Sequence, residues 1–317
     1  MTKKNQSCGF RTSIGGQALI EGILMRGPKK QAIVCRTKDG LVEKVEDIKL
    51  DKEKHPILGW PFIRGCAIFL DSMYKGMQAL TYSASLIPED EQEEPDKLDK
   101  WISDHFPAEK AQKLIIGVAV VLGIALSLLL FIFLPTLIVG FIKPLTESYV
   151  IRNLSEGVLK VAILLIYMKL CTRVSDVQRL FAYHGAEHKT IFCYEHGREL
   201  TVENVRTESR FHPRCGTSFL LVVIVVSILV NSVVLLDNSF ARMGCHLLLL
   251  PVVVGISYEI NRWCGRHDNI VSAALSAPGK WLQRITTNEP EDGMIECAIR
   301  AMELVIPEEK GLDEWGK

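Results

Sequence analysis

The residues best suited to chemistry lie in one stretch, "AYHGAEHKTIFCYEHG", residues 182–197. His184 and His188 stand four apart, and positions four apart on a helix share a face. Two imidazoles so placed can grip one divalent ion, zinc by preference. The intervening Glu187 can then orient or deprotonate a water that the ion activates. His-x-x-Glu-His is the reverse of the zincin motif, and one metalloprotease class uses it. The plain alternative is a pair of helical surface histidines with nothing bound. A second group, "FHPRCG", sets His212 and Cys215 three apart, and both are good zinc ligands. Three ligands would leave a position open for water, whereas all four would close the shell and make the site structural. The plain reading of this second group is a His-Pro turn, then a helix entry capped by Thr217 or Ser218.

Further candidates carry less. Glu259 ends an apolar run, either solvated or as the distant third ligand that the reversed motif takes from downstream. Glu21 and Arg26 lie in "GGQALIEGILMRGP", which reads as a short packed helix with a surface ion pair. The sharper reading is a strand or loop that brings the two near a site. His196, before Gly197, reads as a helix end. His246, inside an apolar segment, reads as packed or hydrogen-bonded between helices, and His55, His105 and His267 as surface.

The elements that must position these residues are mostly helices in a membrane. The chain has 317 residues, 48% hydrophobic, with zero net charge, which gives no reason to expect a nucleic-acid partner. Its apolar residues are gathered in long runs, the mark of a membrane protein. Leu114 to Ile142 carries no charge, and Pro135 predicts a kink. Leu154 to Cys171 is interrupted by Lys160 and Lys169. Thr217 to Asp237 and Ala241 to Ile260 make a close pair. Four spans are expected. Arg173, Arg179, Lys189, Arg198, Arg206, Arg210 and Arg214, all between the second and third, put that segment and both termini in the cytoplasm. Nine cysteines without regular spacing, behind no signal peptide, read as reduced thiols. One tension stands: His184 lies 13 residues past Cys171, about 20 Å if helical, so the chain folds back or the second span runs on.

The fold class is therefore mainly α, a polytopic membrane protein of about four transmembrane helices. The expected segments run in order. Residues 1–60 form a cytosolic unit with a β-hairpin, and 61–87 an amphipathic or membrane-associated helix. An acidic linker, 88–112, precedes two spans in 113–172. The site segment is 173–216, two more spans fill 217–262, and cytosolic helices occupy 263–317, with Thr286 or Thr287 as an N-cap.

"GGQALIEGILMRGP", "AYHGAEHKTI", "ELTVENVRTESRFHPRCGTSFLL" and "TTNEP", in this order, resemble the bacterial YqhQ-like family across nearly the whole chain. The resemblance implies a multi-pass inner-membrane protein and a predicted metal-dependent enzyme, with no substrate. It carries over His184, Glu187, His188, His212 and Cys215 as site positions, then Glu21 and Arg26. The leading expectation is a membrane-embedded metal-dependent hydrolase in which Glu187 is the general base or a carboxylate steering one of the imidazoles. Beyond the lipid bilayer, its partner would be a membrane-protein segment, a peptide or a lipid-linked compound. A scaffold with a structural metal or His-Cys cluster is the alternative, and a transport component, hinted at by Lys160, the third.

Overall fold

The computed structural model describes residues 10–48, 59–87, 101–102, 105–142, 148–236, 238–267 and 269–315. The acidic linker sequence 88–100 lies outside them, as does His55. Four antiparallel strands form one meander: β1 Gly15–Leu19, β2 Gly22–Arg26, β3 Lys30–Thr37 and β4 Gly40–Asp47. The β3–β4 pair is the expected hairpin, with Thr37 opposite Gly40. The segment read as a short helix is instead the β1–β2 hairpin, Leu19 pairing with Gly22. Its period is two: Ile23 and Met25 face one core and Leu24 another. Glu21, second of the two turn residues, takes the left-handed conformation (φ 49°).

The helices are α1 Ile63–Ala84, α2 Ala108–Leu128, α3 Leu134–Ile142, α4 Tyr149–Cys171 and α5 Ser175–Glu195. After the short α6, Val202–Arg206, come α7 Gly216–Asn231, α8 Ser239–Arg266, α9 Ile270–Thr286 and α10 Asp292–Glu303. A π-helical turn, Leu129–Phe133, joins α2 to α3 just before Pro135. A proline cannot donate to the ladder, so the widened turn absorbs the lost bond. Thr286 and Thr287 do not cap α10. They end α9, Thr287 Oγ1 donating to the Gln283 carbonyl, while Glu291 occupies the N-cap of α10.

By Cα proximity the chain forms two units: residues 1–86, 167–226 and 251–317, and residues 87–166 and 227–250. In the first, the sheet is covered on both faces. Ile23, Met25, Ala32 and Val34 pack with Tyr183 and Ala186 of α5 and Ile295, Ala298 and Met302 of α10. Leu19, Leu24, Ile33 and Cys35 pack against Ala79 of α1. The start of the sheet is tied to the C-terminal segment through Thr12, opposite Glu314 in an isolated bridge and bonded to Asp313.

In the second unit the helices carry buried charge. Glu156 accepts from Arg242 at 2.7 Å and Thr136 at 3.1 Å and pairs with Lys160 at 2.9 Å. His246 Nδ1 lies 3.3 Å from the same carboxylate. Lys160 is therefore a paired residue, and His246 packs beside the Glu156 carboxylate without a hydrogen bond to it. Among the described residues, two helical stretches are long and apolar enough to cross a bilayer, Leu114–Phe141 and Ser239–Arg266. Of the other two expected spans, α7 is apolar but has only 16 residues, and α4 carries Arg152, Glu156, Lys160 and Lys169.

Candidate metal centre

α5 buries polar residues, Glu187, His188, Lys189 and Glu195, along with its apolar ones, because the sheet, α10 and the 201–215 segment surround it. Two glycines allow the close approach. A Cβ on Gly185 would sit 2.1 Å from the Asn288 carbonyl oxygen, in the "TTNEP" segment. A Cβ on Gly16 would sit 3.1 Å from the Glu187 carboxyl carbon.

Among the described residues, His184, His188 and Cys215 bring potential ligand atoms within 4.8 Å of one another. Their hydrogen bonds fix the tautomers. His184 Nδ1 meets the Thr286 carbonyl at 2.9 Å, and His188 Nδ1 the Arg210 carbonyl at 2.6 Å. A carbonyl can only accept, so both Nδ1 atoms carry a proton, which leaves the two Nε2 atoms as the positions available to a metal. His184 Nε2 points at Cys215 Sγ, 3.1 Å away; His188 Nε2 is buried without a hydrogen-bond partner. The Cys215 sulfur also accepts the Thr217 backbone N–H at 3.4 Å. A tetrahedral zinc site needs donor atoms roughly 3.3–3.6 Å apart, so this set fits such an ion after small side-chain shifts.

Glu187 completes the group. Its Oε1 accepts the Gly16 N–H at 3.0 Å, while Oε2 is buried with no partner. Burial pushes its carboxyl above the usual range, against the pull of His184 and His188. Burial disfavours charge on His184 too, but the Cys215 sulfur outweighs it and raises the imidazole to about 9. Burial would likewise raise the Cys215 thiol, but His188 and His184 hold it well below its normal value. A thiolate is the form that ligates metal.

His212 stands beside the group, its ring 5.7 Å from that of His188, and is otherwise engaged. Its Nδ1 accepts the Arg214 N–H at 3.3 Å, leaving Nε2 to donate to Glu195 at 3.4 Å. Burial holds its imidazole down at about 4. Glu195 also takes the Arg214 guanidinium and the Thr12 N–H, so it anchors the whole 212–215 turn.

The remaining candidates lie in other contacts. Glu259 is bound in a two-pronged pair by Arg64. Glu21 is held by Arg179 at 2.5 and 2.6 Å and by Tyr183 at 3.2 Å, and Arg26 pairs with Asp71 at 2.9 Å. His196 caps α5 and meets Glu208 at 3.0 Å. Sequence reasoning missed the positioning groups: the Gly16 N–H and the Thr286 and Arg210 carbonyls. Backbone groups have no residue signature; only the motifs "GGQ" and "TTNEP" marked the places.

A family model described as "Protein of unknown function (DUF1385)" matches residues 60–308, and the chain belongs to that family. It is 32% identical over 294 residues to "Uncharacterized protein YqhQ" of Bacillus subtilis (strain 168), covering 90% of each chain. No solved structure matches.

Proposed function

We propose that this chain is a membrane-anchored, metal-dependent hydrolase whose centre is His184, His188 and Cys215, with zinc the preferred ion. The observation that carries this reading is the convergence of two histidine ring nitrogens and one sulfur, beside an unpartnered oxygen of Glu187. A divalent cation there would supply Lewis acidity to water and to a carbonyl or ester oxygen. The chain's own residues do the rest. Thr286 and Arg210 fix the imidazole orientations, as outer carbonyls do in metal sites. Gly16 holds one oxygen of Glu187 and leaves the other to take a proton, and a raised carboxyl suits a general base. Three protein ligands leave room for water, as in catalytic centres. We take the chain to cross the membrane four times, with both termini and the centre on the cytoplasmic side, from its apolar runs and the basic residues of 173–214. A membrane-protein segment, peptide or lipid-linked compound is then the fitting substrate.

Metal analysis of the purified chain tests this. The wild type should carry about one zinc per chain, and His188→Ala and Cys215→Ala little or none. A wild type free of stoichiometric metal sinks the proposal. One observation favours a structural metal instead: His188 is 1% and Cys215 8% exposed. Cobalt substitution separates the two, since added cyanide shifts the visible bands of an open shell and leaves a closed one unchanged. A transport role would require charged residues facing each other within the spans, and Glu156, Lys160 and Arg242 do so. Their burial favours a tie between helices, and Lys160→Met would lower uptake only if the group lies on a path.

A further inference from the structure

Two helices of the first unit turn large apolar residues outward. On α9, the residues turned inward are Leu282 and the small or polar Ser272, Gly279, Gln283 and Thr286, while Val271, Leu275 and Trp281 are exposed, and Ile270 is 86% exposed. α1 is similar: it buries only the small Gly65, Gly76, Ala79 and Ser83 and exposes Leu70, Met73 and Tyr74. Aliphatic and aromatic residues on the open face of two helices suit hydrocarbon better than water.

Between these faces, at the end of α8, lies a cleft of about 480 Å³ lined by Arg64, Arg262, Arg266, Trp263, Glu259 and Leu275. Its charge is unbalanced. The Glu259 carboxylate is taken by both arms of Arg64. Neither Arg262 nor Arg266 has an ion-pair partner within 4 Å among the described residues. Three guanidiniums against one carboxylate leave about two positive charges beside an indole and a leucine. Guanidinium is the side-chain group that best matches a phosphate ester, and tryptophan favours the headgroup level of a bilayer.

We propose that this cleft binds the phosphate of an anionic phospholipid. Arg262 and Arg266 hold the headgroup, Trp263 lies against it, and the acyl chains run along the exposed apolar face of α9. Phosphate chemistry alone would admit a free anion. The apolar collar on α1 and α9 selects the lipid, because an inorganic ion would leave those faces uncovered. The assignment rests on the membrane reading of α8, but it is independent of the metal centre, none of whose ligands line the cleft.

Native mass spectrometry of the full chain released from detergent, titrated with phosphatidylglycerol or phosphatidylcholine, tests it. Phosphatidylglycerol should form a saturable one-to-one adduct, and phosphatidylcholine a much weaker one. Arg262→Gln/Arg266→Gln should weaken phosphatidylglycerol binding about thirtyfold, from roughly 1 kcal/mol per basic residue, and unchanged melting should show that the variant is folded. Lys310→Gln, an exposed change elsewhere, should bind as wild type. Equal binding by the double variant overturns the proposal, as does equal binding of phosphatidylcholine. Displacement of the adduct by inorganic phosphate at equal concentration also overturns it, in favour of a free-phosphate site. His188→Ala should lose metal and keep the lipid. A wild type without metal that still binds phosphatidylglycerol through the arginines would sink the hydrolase alone.

Discussion

At the candidate centre protons and metal compete for the same lone pairs. His184, raised to about 9, gives up its proton only as pH climbs toward that value. Zinc affinity, measured against a competing chelator, should therefore rise about tenfold per pH unit from 6.5 to 9, then level off. Without metal, the linkage has two parts. The raised His184 contributes stability that is full below 6.5 and lost as pH rises through 9. The lowered Cys215 contributes stability that is full above 9 and lost as pH falls. Between 6.5 and 9 the folded pair and the unfolded residues hold the same number of protons, so this contribution is level. Below 6.5 it declines. Glu195 adds to the acid side: burial opposes its charge, but His212 and Arg214 hold its carboxyl low, so its stabilisation is also lost as pH falls. Urea midpoints of the metal-free protein should be flat from pH 6.5 to 9 and drop below that range. At Gly185, alanine would press a methyl against the Asn288 carbonyl. The cost should be about 1–3 kcal/mol, read as a melting-point drop of several degrees.

Element by element, the sequence is legible where side chains carry the signal. The spacing of His184, Glu187 and His188 placed them on one helix, and α5 bears them, Glu187 and His188 buried and His184 half-buried. The β3–β4 hairpin followed from its alternation and its Lys-Asp-Gly turn. "GGQALIEGILMRGP" misled because both faces of β2 are covered, so Gly22, Ile23, Leu24 and Met25 show no polar alternation. The partners of Lys160 were out of reach for another reason: Glu156 was visible one turn away, but Arg242 belongs to a helix 86 positions on. That buried group gives a prediction of its own. Glu156→Leu would leave Arg242 and Lys160 without their carboxylate, at about 3–5 kcal/mol, seen as a lower midpoint in detergent. Adding Arg242→Met and Lys160→Met should recover much of the loss.

For the molecule as a whole, the four-span reading sets where each segment lies. Cysteine-accessibility labelling of intact cells should find probes at both termini and near residue 200 protected from outside, and one near residue 235 exposed. A probe near 200 labelled from outside would invert the topology and turn the centre away from the cytoplasm. The sheet also imposes an order on synthesis. β2 and β3 leave the ribosome with Ile23, Met25, Ala32 and Val34 uncovered, and α10, which closes that face, begins roughly 245 residues after β4 ends. At 5–20 residues per second the wait is on the order of 12–50 s, with hydrophobic helices entering the bilayer meanwhile. A nascent chain stalled before residue 292 would therefore carry a complete His184–His188–Cys215 triad on an open, adhesive sheet, a ready client for a chaperone.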